Sequence, residues 1–441
     1  MDRQITSKLA HWKERSVRKP LIVRGARQTG KSYIINEFGN SHFEGTTHVI
    51  NFEKRVDWHS VFDLNYDVNR IVGELEVLTG SRINVGRDLL FFDEIQECPK
   101  AIESLRYFYE QMPALHVIAA GSLLEFALGN ISFPVGRVQL IDMHPMNFQE
   151  FLLATGNEPA AQLIKENPKL VSESIHTMLT GELKKYFFVG GMPECVKIYA
   201  ETQSMNEVFD IQTDLIATFR QDFLKYTPRI DTNCLNAVLT SIPQKIGQQI
   251  KYSSLTEGYS NPTIKKAFEL LETARLIKKV KTASPAGLPL GASSSDKKFK
   301  AIMLDIGLFG SLLGGSRSLE YSKTALLSVF QGAMAEQFVG QEILAATNSE
   351  LYYWAREAKS SNAETDYMIE KGGKIIPIEV KSGKGGSLKS LHLLLDTYPN
   401  VDEGFVFSDS HYGKIEEQKI SFIPLYYTSS AVSNETVENS F

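Results

Sequence analysis

Cysteine is scarce: Cys98, Cys195 and Cys234 are the only three in 441 residues, and they lie far apart. That spacing gives neither a zinc-ligand pair nor a disulfide framework, so a reducing, cytoplasmic setting is expected. No apolar run is long enough to span a bilayer, so no membrane partner is expected. The opening MDRQITSKLAHWKERS lacks the apolar segment of a signal peptide. Nor is there an excess of positive charge. With 47 Lys+Arg against 52 Asp+Glu the formal charge is −5, so any contact with nucleic acid must use local basic patches and not a global field. What is present is ordinary for a globular protein, 43% hydrophobic and 22% charged. A chain of this length outgrows a single core, so two or three domains are expected.

PLIVRGARQTGKSYIINEF runs from an apolar strand, Leu21 to Val23, through a glycine loop into a helix. The loop Gly25-Ala26-Arg27-Gln28-Thr29-Gly30-Lys31-Ser32 fits G-x-x-x-x-G-K-[ST]. Glycines let backbone N–H groups turn inward around phosphate oxygens, and the helix N-terminus adds the positive end of its dipole. Lys31 would neutralise the β- and γ-phosphates of ATP, and the Ser32 hydroxyl would ligate Mg²⁺. DLLFFDEIQ reads as a second buried strand ending in Asp93-Glu94. At the C-terminal end of such a strand Asp93 would hold Mg²⁺, directly or through water, and Glu94 would orient or deprotonate the attacking water. HVIAAGSLLEF adds a strand from His116 to Ala120. Its Ser122 is either a polar sensor of the γ-phosphate or a helix N-cap. Arg137 is either an arginine that meets γ-phosphate charge, often from a neighbouring subunit, or a surface ion pair.

RGARQTGKS, LLFFDEIQ, AAGS and PVGRV…DMHPMNFQEF resemble the AAA-superfamily ATPases of bacteria and archaea, in the branch related to the STAND and archaeal-type ATPases. The resemblance spans roughly residues 15–155. It implies ATP hydrolysis, a homo-oligomer formed through the ATPase domain, and a strand order in which the acidic strand does not neighbour the loop strand.

From Glu158 to Gln249 the pattern is mostly helical. FFVGGMPECV looks like the helical lid sequence of the same family, its glycines and proline marking a turn. In YSSLTEGYSNPTIKKAFELLETARLIKKVK, Asn261 is a good N-cap and Pro262 suits the first helical position. Ile264, Ala267, Phe268 and Leu271 follow a core-facing helical stripe. A short helix, a turn and this helix, then two strands around the loop TASPAGLPLGASSSDKKFK, describe a winged helix-turn-helix. Lys265 and Lys266, with Lys278, Lys279, Lys281, Lys297, Lys298 and Lys300 beside the wing, suit DNA. Glu269 and Glu272 on the exposed face, and the use of winged helices as plain connectors, argue against it.

TDYMIEKGGKIIPIEVKSG reads as a hairpin turned by Gly372-Gly373. Counting outward sets Asp366 opposite Glu379, in a non-hydrogen-bonded pair where like charges repel. Tyr367, Ile369, Ile376, Ile378 and Val380 form the core face; Asp366, Glu379 and Lys381 share the other. A divalent cation, Mg²⁺ or Mn²⁺, between the acids would turn repulsion into coordination, and Lys381 could position water. Charges on a hairpin rim are the alternative. Asp366…Glu379-Val380-Lys381 resembles the PD-(D/E)XK nuclease superfamily, although Thr365 stands where the signature has proline. The resemblance implies a catalytic trio of these residues, with Glu336 in the upstream helix GAMAEQFVGQEI as a further metal acid or a plain solvent-facing acid. The whole order resembles a widespread prokaryotic family whose C-terminal domain is of unknown function.

The expected fold is therefore α/β. It comprises a P-loop AAA-type core at 1–155, a helical lid or connector at 156–248 and a winged helix at 249–321. A restriction-endonuclease-like domain at 322–427 and a disordered tail from residue 428 complete it. The expected function is ATP hydrolysis coupled to metal-dependent DNA cleavage. The alternative is a nucleotide-controlled switch whose C-terminal domain binds DNA or protein without cutting.

Overall fold

Continuous apolar runs suit strands buried on both faces, and three of them form the centre of the first sheet: β1 (Leu21–Arg24), β3 (Leu89–Asp93) and β4 (His116–Gly121). With β2 (Thr47–Asn51) and β5 (Gln139–Asp142) they make a five-stranded sheet in the order β2-β3-β4-β1-β5, every pair parallel. The acidic strand β3 is thus separated from the loop strand β1 by β4, as the resemblance implied. Side chains alternate between two cores. Leu21, Val23, Leu89, Phe91 and Ile118 meet Leu9, Trp12, Ile35 and Phe38 on one side. Ile22, Leu90, Phe92 and Val117 meet Ile71, Leu75, Ile102 and Leu105 on the other. Each such side chain contributes about 1.5–3 kcal/mol by leaving water, and the result is a rigid platform. Parallel pairing brings all C-terminal strand ends to one edge, which is where Gly25, Asp93 and Gly121 emerge.

The computed structural model divides the chain into two units, Met1–His144 and Pro145–Phe441. It describes residues 3–122, 124–125, 133–223, 230–314, 327–358, 361–381 and 387–433.

The second unit opens with helices, among them Glu173–Val189 and Pro193–Thr202. The glycine pair between these two is enforced by close packing. A Cβ on Gly191 would stand 1.9 Å from the Met146 carbonyl oxygen, while its N–H donates to buried Asp305 at 2.6 Å. Further on, Ile264, Ala267, Phe268 and Leu271 of the helix Asn261–Thr273 are all buried, as the stripe required. Its cap lies one residue earlier than expected: Ser260 accepts from the Thr263 N–H, so Asn261 is the first helical residue.

Strands β6 (Ile277–Thr282) and β7 (Ser295–Met303) pair antiparallel. They do not stand alone. β6 also pairs parallel with β8 (Tyr352–Ala358) through Lys281↔Tyr352 and Thr282↔Tyr353. The proposed wing is therefore one edge of an eight-stranded mixed sheet that continues across the boundary expected at residue 321. The other strands are β9 (Ser361–Lys371), β10 (Lys374–Val380), β11 (Gly404–Ser408), β12 (Gly413–Ile415) and β13 (Ile420–Pro424), in the order β12-β13-β11-β10-β9-β8-β6-β7. The hairpin β9–β10 has the expected register, Lys371↔Lys374 and Ile369↔Ile376, with both turn glycines at positive φ, 55° and 74°. The tail also differs from expectation. Residues Thr428–Val432 form a short helix with Thr428, Ala431 and Val432 buried; the remainder of the tail, 434–441, lies outside the described residues.

Candidate functional site

The phosphate loop of the first unit takes its shape from backbone demands that the sequence meets residue by residue. Gln28 and Gly30 have φ of 64° and 88°, the second suiting glycine. Gly25 cannot carry a side chain, because a Cβ there would lie 2.3 Å from the Met143 carbonyl oxygen. Thr29 closes the loop by donating to the Ala26 carbonyl at 2.9 Å. Lys31, first residue of the helix Lys31–His42, holds its ammonium inside the loop, 3.1 Å from the Gly25 and 2.7 Å from the Ala26 carbonyl oxygen. Arg27 belongs to the same turn and is half-buried.

Ser32 donates to Asp93 Oδ1 at 2.7 Å, and Asn51 at the end of β2 donates to Asp93 Oδ2 at 2.8 Å. A hydroxyl and a carboxylate joined at the mouth of a phosphate loop are the donor set Mg²⁺ takes beside nucleotide phosphates, so these residues fit that ion. Glu94 follows immediately, in the left-handed region at φ 51°, where a non-glycine residue is strained by about 1 kcal/mol or more. Its Oε2 accepts from Gln96 Nε2 at 2.6 Å.

Gln96 escaped the sequence reading. It is wedged against the end of β4: a Cβ on Gly121 would stand 2.6 Å from its Oε1. That Oε1 and the Ser122 hydroxyl are buried and lack hydrogen-bond partners among the described residues. Ser122 therefore forms no capping bond to residues 124–125. The one available signal for Gln96 was an amide three residues beyond the acidic strand end. Arg137, at a turn through Gly136 at φ 74°, donates to Glu110 Oε1 at 2.9 Å and is about half exposed. The surface ion pair is formed.

The second unit brings the hairpin acids together differently from expectation. Register pairing of β9 with β10 runs to Ile378↔Tyr367, and the ladder between β8 and β9 shifts between Tyr352 and Trp354. Such a bulge re-aims side chains. Asp366 turns its Oδ2 onto the Val380 N–H at 2.8 Å, so a carboxylate takes the place of a ladder carbonyl. The acid-bearing face is not open either. Met368 and Ile375 on it pack with Trp354, Val406, Leu391 and Leu394, the last two from the helix Lys389–Thr397.

At the centre of the acids stands an ammonium. Lys300 of β7 lies 2.6 Å from Glu364, 2.9 Å from Glu336 and 3.1 Å from Asp366, with its side chain 2% exposed. Burial by itself would lower its pKa; Glu336, Asp366 and Glu364 overcome this and hold it well above the ordinary lysine value. Glu336 and Glu379 are raised, chiefly by burial. Lys381 donates to Glu379 Oε1 at 2.5 Å, while Glu379 Oε2 is buried and has no partner among the described residues. Among the described residues no three His, Cys, Asp or Glu side chains are grouped to hold a metal ion. The metal roles expected of Glu336, Asp366 and Glu379 thus meet an ammonium already standing among the acids, on a lysine 66 residues before Asp366.

Four of the lysines expected to line the basic wing carry partners of their own. Lys300 is buried here, and Lys279 donates to the Tyr252 hydroxyl at 2.7 Å inside an aromatic box with Phe268 and Phe299. Lys278 and Lys281 both pair with Glu350.

A family described as an AAA domain matches residues 17–152. Two families described as domains of unknown function match residues 180–319 (DUF8612) and 331–427 (DUF4143). No curated protein matches the chain. Among solved structures, the chain is similar to the Walker-type ATPase of Pyrococcus abyssi, at 16% identity and TM-score 0.45 over 70% of this chain and 95% of that one. It is also similar to the Thermotoga maritima RuvB Holliday junction branch migration motor, at 17% and 0.29 over 63% and 89%. A third is the Drosophila ORC bound to DNA, at 12% and 0.27 over 74% and 93%. All three scores are too low to establish a shared fold. Among the described residues no helix is long and apolar enough to cross a membrane. The parallel sheet, the loop geometry and the family matched over residues 17–152 together make the N-terminal unit a P-loop domain of the AAA superfamily.

Proposed function

We propose that this chain binds ATP with Mg²⁺ in the loop Gly25–Ser32 and hydrolyses it, and that nucleotide state controls a C-terminal domain which binds DNA or protein without cutting it. The observation that carries the first half is the Ser32–Asp93 bond at 2.7 Å beside the Lys31 ammonium. Mg²⁺ held by Ser32 and Asp93 would offset charge on the β- and γ-phosphates. Lys31 supplies a second positive charge there, the loop N–H groups and helix N-terminus bind the remaining oxygens, and Glu94 orients the attacking water. Ser122 and Gln96 border that position with buried polar atoms. Arg137 is assigned to its pair with Glu110 and not to the chemistry.

For the C-terminal domain the choice rests on Lys300. An acid cluster that already holds a buried ammonium supports a binding module over a metal-dependent nuclease. The unpartnered Glu379 Oε2 beside Lys381 is what favours the second reading, cleavage of DNA. One experiment decides. Wild type, Lys31→Ala and Glu379→Ala are incubated with ATP, Mg²⁺ or Mn²⁺ and several nucleic acids, and phosphate release and strand scission are scored in the same tubes. Wild type and Glu379→Ala should release phosphate, Lys31→Ala should not, and no tube should show new strand ends. Scission by wild type that disappears in Glu379→Ala would restore the nuclease.

A further inference from the structure

Lys300 does more than balance charge. An ammonium has three N–H donors, and here three carboxylates from two elements receive them: Glu336 from the helix Leu327–Thr347, and Glu364 and Asp366 from β9. That is the coordination of a small cation, supplied by the chain itself. The surroundings are shaped to keep it. A Cβ on Gly247 would lie 2.8 Å from Glu336 Oε2, Gln249 donates to Glu364 Oε2 at 2.7 Å, and the Tyr353 ring centroid is 5.5 Å from the ammonium. The charges do not balance even so. Four carboxylates, counting Glu379, face two ammonium groups, Lys300 and Lys381. Glu379, 7% exposed, keeps one oxygen buried and unbonded. Ionising all four at once is costly, and burial accordingly raises Glu336 and Glu379; a second positive charge at that point would take the place of a proton.

We infer that Lys300 is a tethered substitute for a divalent cation, and that removing its ammonium uncovers a latent divalent-ion site formed by Glu336, Glu364, Asp366 and Glu379. The inference rests on the reading of the C-terminal domain as a non-cleaving module. In the wild type a divalent ion entering the cluster would displace the ammonium and leave it buried without its carboxylates, which suppresses binding. A methionine at this position keeps the stem's bulk and removes the charge, so the ion becomes the group that holds the acids together.

The test uses the full chain and Mn²⁺ as the probe, read by calorimetric titration and by thermal unfolding in chelator or in Mn²⁺. Wild type should bind Mn²⁺ weakly at Glu379 and its neighbours, with a melting temperature indifferent to the ion. Lys300→Met should melt lower in chelator, recover in Mn²⁺, and bind one equivalent on the order of 100-fold more tightly than wild type, the scale expected when a buried countercharge is exchanged. Adding Glu379→Gln should cancel the gain. The double variant Lys300→Met, Glu336→Gln removes one charge of each sign and so keeps the wild-type net charge; it should fold without the ion while binding Mn²⁺ better than wild type. Equal affinities in wild type and Lys300→Met, or no binding by the double variant, would overturn the inference; so would a Lys300→Met protein that Mn²⁺ fails to rescue. Tight wild-type binding abolished by Glu379→Gln would overturn the non-cleaving reading as well. Absence of binding in every variant would leave that reading standing and remove only the inference.

Discussion

The two sheets of this chain handle charge in opposite ways. In the parallel sheet the polar groups sit at strand ends, on a platform whose interior is apolar on both faces; Asp93 and Lys31 are buried, but at the phosphate loop and not within the layers. In the mixed sheet the charges lie within the layers, and Lys300, Glu336 and Glu379 are buried among their own partners. A charge left at a strand end is held for a ligand. A charge drawn into the layers must be answered by the protein.

The largest expected effect is Asp93→Ala. Loss of the carboxylate that Ser32 and Asn51 address should lower ATP turnover by about 100-fold or more, while melting of the second unit stays unchanged. A matching loss of stability in both units would dissolve the contrast. Gln96→Ala should come next. It frees the Glu94 carboxylate, and kcat should fall by about 10- to 100-fold with KM and nucleotide affinity near wild type. A rise in kcat would show that Gln96 restrains Glu94 in an idle position.

The pH dependence sharpens the comparison further. In the first unit burial, then the charges of Arg18 and Lys13, lower His116 to about 4. The unfolded chain takes up this proton near 6.5, so stability falls as pH drops from there towards 4. In the second unit burial raises Asp305 to about 6 and Glu342 to about 8, and raises Glu336 and Glu379 too. The folded form then holds more protons than the unfolded chain from about 4.5 upward, so stability falls as pH rises towards 8. Between mildly acid and mildly alkaline buffer the two melting transitions should move in opposite directions, each by on the order of a few °C. Parallel movement by calorimetry would contradict the burial of these groups. Smallest of all is Arg137→Ala. Its exposed pair with Glu110 is of a kind that contributes little, so turnover should stay within about twofold of wild type. A drop of several hundred-fold would instead reveal an arginine donated to another copy's nucleotide.

The first unit was legible because its information is local. Strand, loop and helix follow one another within Leu21–His42, and an apolar run ending in Asp93-Glu94 needs no distant partner to be recognised. The turn at Gly372-Gly373 and the stripe of the helix Asn261–Thr273 were readable for the same reason. The acid cluster was not. Counting from the turn gives the β9–β10 register correctly as far as Ile378↔Tyr367, but it reaches only two strands and cannot bring in Lys300 from β7 or Glu336 from its helix. Lys300 and Asp366 meet only because β6 pairs with β8, a long-range choice that no residue of the wing announces. The tail expected to be disordered from residue 428 begins with a short helix instead: Thr428, Ala431 and Val432 are buried, and Lys371 reaches the Ala431 carbonyl.

Asp366 deserves separate treatment at the bench. One oxygen grips the Lys300 ammonium and the other stands in for a main-chain carbonyl toward Val380. Truncating it would leave a buried amide hydrogen unanswered and loosen the seam between two strands. An inactive alanine variant at this position would therefore report damaged architecture as readily as lost chemistry, whereas Glu379, whose side chain bonds no backbone group among the described residues, is the informative place to cut.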